Sequence, residues 1–226
     1  EEGAAREDAD VMKVPPEEVE DAVDKLVEFV HHSHSMPYLV RSALLHYQFE
    51  TIHPFEDENG RLGRLLIVLD MLNEDKLAQP LLYLSEYFNN NKIRYYERLQ
   101  SVRENGEFER WIKFYLRAVK SQSKKSTRTA VEIIDKRQRY RDRLRESSVP
   151  DNCVALMERM FDLRPRTISE ISEELDVSYH TARSYALTLE GEGIAEELDR
   201  PGREKHYILG EVLDIMNDRS PGTIQK

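Results

Sequence analysis

Apolar residues that recur three and four positions apart, segment after segment, limit this chain most, because only an α-helix gathers such positions on one face. After Pro15-Pro16, the stretch EEVEDAVDKLVEFV places Val19, Val23, Leu26, Val27 and Val30 at that spacing, with acids in the first turn where the helix dipole favours them. It runs out in HHSHSMP, whose His31, His32 and His34 read as a solvated turn rather than a metal cluster. Pro37 opens YLVRSALLHYQFETI, apolar on most sides and therefore expected to be central. RLLIVLDML resumes the pattern with Leu65, Leu66, Val68, Leu69 and Leu72 as a buried helix. NNNKIRYYERLQSVREN and GEFERWIKFYLRAVKSQS predict two more helices, with Trp111 in the core. A further polar helix, 127–146, is anchored by Val131, Ile133, Ile134 and Leu144, and its run KRQRYRDRLR reads as a solvated face.

Ser147-Ser148-Val149-Pro150 breaks the periodicity. Beyond Cys153, Thr167 and Glu170 have capping-box spacing, Ser178 caps a second helix, and Gly191 and Gly193 stop it. Two short strands are expected around Arg200-Pro201-Gly202-Arg203. This order resembles a winged helix-turn-helix domain over 150–210. Thr181, Arg183, Ser184 and Tyr185 would face a DNA groove, and Arg203, Lys205 and His206 would reach phosphate. Glu173, Glu174, Glu190, Glu192, Glu196 and Glu197 surround them with negative charge, which favours a protein-docking or homodimer-forming module over a DNA reader.

The net charge of −10 excludes coating of nucleic acid by bulk attraction. A single cysteine, Cys153, permits no internal disulfide and suits a reducing compartment. No apolar run is long enough to span a membrane, so a cytoplasmic location without membrane contact is expected. The opening EEGAAREDAD, 1–10, reads as a partial segment of a chain entered midway.

Between the second and third helices stands HPFEDENGRLGR, 53–64. A helix N-terminus offers unpaired N–H groups to an anion, and glycine lets the backbone approach it closely. Asn59, Gly60 and Arg61 stand at that point, while Arg61 and Arg64, three apart, suit a polyphosphate. Asp57 makes sense beside them if Mg²⁺ accompanies the phosphates. His53, able to accept a proton near neutral pH, would activate a hydroxyl nucleophile, with Pro54 and a core-plugging Phe55 fixing it. A zinc hydrolase using His46, Glu50 and His53 at i, i+4, i+7 is the rival chemistry, but it leaves Asn59, Gly60, Arg61 and Arg64 unused.

The motif resembles the pattern H-P-F-x-[D/E]-[G/A]-N-[G/K]-R-x-x-R of the Fic (filamentation induced by cAMP) family, and the likeness extends over roughly 11–210. The resemblance implies an all-α fold, with a Fic-type helical core over 11–146, a small winged helix over 150–210 and a tail at 211–226. It implies a protein adenylyltransferase that moves AMP from ATP, with Mg²⁺, onto a Ser, Thr or Tyr hydroxyl of a target protein or of itself. His53 would be the base and Asp57 the metal ligand. The Glu58–Gly60 backbone with Asn59 would cradle phosphates, Arg61 and Arg64 would neutralise them, and Tyr95, Tyr96 and Arg103 would contact adenine and ribose. Gly60 favours nucleotidyl transfer over the lysine of the family's phosphorylating branch.

Glu58 departs from the small residue usual in the family. A left-handed backbone there costs glutamate about 1–2 kcal/mol. A carboxylate about 5 Å from phosphate adds about 3 kcal/mol at an effective dielectric of about 20 unless it points outward, the expected direction. The family's inhibitory pattern [S/T]-x-x-x-E-[G/N] has no complete copy here, and Glu2-Gly3 would be at most its tail. The alternative function is a DNA-binding or protein-docking regulator with a weakly active or inactive Fic core.

Overall fold

The structure, a computed structural model, describes residues 14–33, 35–77, 81–198 and 204–217. The expectations for 1–10, Glu2-Gly3, His34, Arg200–Arg203 and the end of the tail lie outside the described residues. Two compact units are formed, Glu1–Ser126 and Thr127–Lys226.

In the first unit, a 3-10 turn at Pro16–Glu18 leads into α1 (Val19–His32), followed by α2 (Tyr38–Ile52), α3 (Asn59–Asn73), α4 (Leu84–Asn90) and α5 (Lys92–Asn105). His31 and His32 end α1 exposed. As its all-round apolar pattern predicts, α2 is central, and it also buries polar groups that find partners. Arg41 pairs with Asp70 and Glu74 of the α3 end, both at 3.1 Å, and Ser42 hydrogen-bonds the Tyr115 hydroxyl at 2.6 Å. Such pairing is what makes a buried charge tolerable. The core joins Ala43, Ile67, Met71, Phe88, Tyr95 and Leu99 to Trp111, Phe114 and Tyr115.

The third helix corrects its sequence reading. Its leucines Leu65 and Leu69 face outward, 51% and 52% exposed, and the buried line is Asn59, Gly63, Ile67 and Asp70. Gly63 decides this, because a Cβ there would stand 2.6 Å from Glu50 Oε1 and 3.0 Å from the Phe49 ring. The glycine face is the one that lets α3 approach α2 closely.

Two of the predicted helices are one: α6 runs unbroken from Phe108 to Glu146. Its early residues Trp111, Phe114, Tyr115 and Ala118 serve the first core, and Tyr140 and Leu144 serve the second. The division between units therefore falls inside α6, ahead of the boundary expected at 146–150.

The second unit continues with α7 (Asp151–Met160), β1 (Arg166–Thr167), α8 (Ile168–Leu175), α9 (Tyr179–Gly191), β2 (Glu196–Leu198), β3 (His206–Ile208) and α10 (Gly210–Met216). The Thr167–Glu170 capping box and the Ser178 cap are both formed. The three strands pair antiparallel in the order β1-β3-β2, with Thr167 and Leu198 both opposite His206. Part of the expected tail is α10, held by buried Val212. Cys153, Leu156, Met157, Ile171, Ala186, Leu189 and Tyr207 form this core. The fold is thus mostly helical with a small sheet.

Candidate active site

The motif is a short loop between two helix ends. Helix α2 stops at Ile52, and His53 takes a left-handed backbone, φ 53° and ψ 57°, while its amide still donates to the Phe49 carbonyl at 3.0 Å. That C-terminal position ordinarily goes to glycine or asparagine, and a residue with a Cβ costs about 1–2 kcal/mol there. The loop ends at Glu58, also left-handed at φ 66°, from which α3 starts without any side-chain cap. An uncapped start leaves first-turn N–H groups available to an anion.

What fixes this loop is not Phe55, whose ring is 51% exposed instead of plugged into the core. Asn59, 2% exposed, does it: its Oδ1 accepts from the Phe55 amide at 3.0 Å and its Nδ2 donates to the Phe55 carbonyl at 2.7 Å. The side chain expected to touch phosphate is instead committed to loop shape. Asp57 is exposed, and its Oδ1 accepts from the Glu58 amide at 2.6 Å. One exposed hard-oxygen ligand beside an anion seat fits an ion that arrives with phosphates, since Mg²⁺ takes one or two carboxylates there.

The two arginines part company. Arg61 is exposed and its Nε meets the Glu58 carboxylate at 2.9 Å, so Glu58 points outward as expected but engages a residue assigned to phosphate. Arg64 folds back over the helix start, where a Cβ on Gly60 would lie 3.0 Å from its Nη1, and its Nε donates to Ser85 Oγ of α4 at 3.1 Å. Glycine at 60 leaves room for that guanidinium. Because Glu58 is 45% exposed and paired, the 3 kcal/mol repulsion reckoned from the bare charges is heavily screened. Glu58→Gly is accordingly expected to tighten Mg·ATP binding by about 3- to 10-fold, 0.7–1.4 kcal/mol, with transfer unchanged or raised. Calorimetry and a transfer assay check this; a collapse of transfer would assign Glu58 a positive role.

Adjacent helical residues point about 100° apart, and α5 separates the two tyrosines accordingly. Tyr95 is 3% exposed and stacks on Phe88 at 4.9 Å, so its ring is core and is not presented to a ligand, which corrects its assignment; Tyr96 is 42% exposed. Arg103, also assigned to nucleotide, donates from Nη2 to the Glu50 carbonyl at 3.1 Å, closing the end of α2.

Beneath the loop lies a buried polar cluster. His46 is fully buried, flanked by the Phe88 and Trp111 rings at 5.7 and 6.0 Å, with Nε2 2.9 Å from the Tyr95 hydroxyl. Burial pushes its imidazole down to about 3, so it is neutral. Glu50, 8% exposed, is pushed by burial up to about 7, against the opposing influence of Arg64, Arg103 and Tyr95. The spacing that mimicked a zinc site is this cluster, and among the described residues no group of three or more His, Cys, Asp or Glu could hold a metal. Gly63 and Ser85 were missed, and Glu50 was named only for the rival zinc chemistry. Only Glu50 left a signal, an acid one turn before His53 in an apolar helix.

In the second unit, Arg183 is exposed on α9 and Lys205 pairs with Glu197; both line a cavity of about 140 Å³ between α8, α9 and β3. Arg203 lies outside the described residues. Part of the arginine-rich run pairs locally: Arg137 and Arg141 both pair with Glu158, and Lys136 with Glu211 at 2.7 Å. A larger cavity of about 430 Å³, walled by α1, α2 and Phe108, contains no motif residue.

Residues 3–69, which include the loop and most of α3, match the Fic/DOC family. A protein of Aquifex aeolicus (strain VF5) named a probable protein adenylyltransferase is 36% identical over 53 residues, 24% of this chain and 17% of the relative. The crystal structure of a Fic family protein from Desulfovibrio desulfuricans G20 is similar with a TM-score of 0.48 and 23% identity, over 87% of this chain and 56% of that one. The chain thus spans less than a fifth of the Aquifex relative's length and about half of the Desulfovibrio protein's. No helix among the described residues is long and apolar enough to cross a membrane.

Proposed function

We propose that the first unit is a protein adenylyltransferase, seating Mg·ATP at the start of α3 and passing AMP to a Ser, Thr or Tyr hydroxyl of a target protein or of the chain itself. The match to the Fic/DOC family and the Aquifex relative support Fic-type function in general. The observation that carries the reading is geometric: one loop, fastened by Asn59, has His53 at one end and an uncapped helix start with Arg64 folded over it at the other.

In this mechanism His53 takes the proton of the acceptor hydroxyl as its oxygen bonds to the α-phosphorus, and the bond to pyrophosphate breaks. The first N–H groups of α3 and the Arg64 guanidinium receive the charge that grows on the departing phosphates. Mg²⁺ enters as part of the substrate, with Asp57 the residue that would hold it, and lowers the charge on the phosphates. Arg61 joins when it leaves Glu58, an exposed pair that contributes about 0–1 kcal/mol.

Incubation of the purified chain with Mg²⁺ and each nucleoside triphosphate, alone and with a cell lysate depleted of nucleotide, tests the reading by intact mass and label transfer. An adenylyl increment from ATP supports it; no increment with any donor overturns it. Arg64→Ala is expected to weaken Mg·ATP binding by about 10- to 100-fold, since it removes a charged donor worth about 1.5–3 kcal/mol. Calorimetry decides, and unchanged affinity contradicts the role.

We further infer that Thr127–Lys226 is a winged helix with the long second half of α6 attached. The order α7-β1-α8-α9-β2-β3 supports it. Docking of a protein, or of a second copy, is favoured over DNA because Lys205, Arg137, Arg141 and Lys136 are already held by Glu197, Glu158 and Glu211. A cytoplasmic setting suits the lone, buried Cys153.

A further inference from the structure

Among the described residues, the Glu50 carboxyl is a buried acid near the motif that the mechanism above does not use. It leaves α2 one turn before His53 and is wedged under α3, where a Cβ on Gly63, the neighbour of Arg64, would stand 2.6 Å from its Oε1. That oxygen has no hydrogen-bond partner among the described residues. Among the described residues, its charged and titratable neighbours come from three helices. His46, on its own helix, has Nε2 3.8 Å from Oε1 and is neutral. From α5 come Arg103, tied to the Glu50 carbonyl, and Tyr95, whose hydroxyl lies between His46 and Glu50 in the same cluster. From α3 comes Arg64.

Of these, only Arg64 also faces the phosphate seat. Arg103 is held by a main-chain carbonyl, His46 carries no charge, and Tyr95 is locked in the core. One of the two positive charges that help Glu50 stay ionised, Arg64 beside Arg103, is thus the one that the proposed function directs to polyphosphate.

We propose, resting on that assignment of the seat, that Glu50 is its proton-linked partner: when Arg64 turns its charge to a bound polyphosphate, the buried Glu50 carboxyl takes up a proton. The balance is simple, since one proton moves from solvent to a carboxylate oxygen and no bond of the nucleotide changes. Two features make the step effective near neutral pH. Burial already holds Glu50 at about 7, and both the diversion of Arg64 and the arrival of phosphate charge act in the same upward direction. A group that is half ionised before binding and mostly neutral after it makes the affinity itself depend on pH, because binding and protonation are reciprocally coupled.

The test is calorimetry of Mg·ATP binding at pH 7.5 in buffers of different ionisation enthalpy, where the slope of heat against that enthalpy counts protons. His53 is itself the proposed proton acceptor, so the comparison with Glu50→Gln carries the result. The wild type is expected to take up about 0.3–0.5 proton more than Glu50→Gln, and its Kd to rise about 3- to 10-fold more between pH 6.5 and 8.5, for an upward shift of about one unit. Equal uptake in the two proteins overturns the proposal while leaving the seat intact. Absence of any Mg·ATP heat in the wild type overturns the seat itself, and the proposal with it. Should Glu50→Gln fail to fold, His53→Ala replaces it: uptake retained without the imidazole supports Glu50, and uptake lost with it overturns the assignment.

Discussion

Replacing His53 with alanine is expected to slow nucleotidyl transfer by about 10²- to 10⁴-fold while Mg·ATP affinity stays within about 3-fold of the parent. The expectation rests on how the loop is built. The imidazole hangs from the residue after α2, whereas the anion seat is made by the uncapped start of α3 and by Arg64, which Ser85 and Gly60 position. Asn59 fastens the loop through Phe55 main-chain atoms, and the His53 amide adds its bond to the Phe49 carbonyl, which alanine keeps. Alanine suffers a left-handed penalty at least as large as that of histidine, so His53→Asn, which tolerates that region well, serves as the control. Single-turnover transfer and calorimetry separate the two quantities. A variant that labels its targets at the parent rate would show that another group removes the proton.

Trp111→Ala is expected to remove about 3–5 kcal/mol of stability, a large part of the roughly 5–15 kcal/mol that a domain possesses. Trp111 has no exposed surface and its Nε1–H donates to the Ala43 carbonyl of α2 at 2.8 Å. Its ring lies 6.0 Å from those of His46, Tyr95 and Tyr115. Truncation leaves both a cavity and a buried carbonyl without its donor, and the second alone costs about 1–3 kcal/mol. Because Trp111 is the only tryptophan, the variant loses its fluorescent reporter, and chemical denaturation is followed by far-ultraviolet circular dichroism instead. Trp111→Phe, which keeps a ring but not the donor, should fall between the two proteins. An alanine variant within about 1 kcal/mol of the parent would mean that the core can close over the gap.

The sequence made some elements plain and hid others, for physical reasons. Helices α1 and α2, the Thr167–Glu170 box and the Ser178 cap were legible because each is decided by residues within one or two turns. The apolar pattern of α3 identified a helix but not its inward face. That choice depended on Gly63 meeting Phe49 and on Asp70 finding Arg41 and Tyr38, partners far away in the chain. The unbroken course of α6 was likewise hidden, since its polar middle gives no local reason either to stop or to continue. At the site, the loop's chemistry was readable in residue types, yet their division of labour was not. Asn59 took the loop-fixing duty expected of Phe55, Tyr95 went to the core, and Arg61 turned to Glu58.

Two left-handed residues, His53 and Glu58, bracket the loop. Each launches its side chain along a direction that a right-handed residue at the same place does not have. The imidazole's heading is therefore written first into main-chain torsion, and only afterwards into whatever surrounds the ring. Side chains on the loop's outer surface can change while the imidazole keeps its bearing, so long as Asn59 keeps hold of the Phe55 main chain.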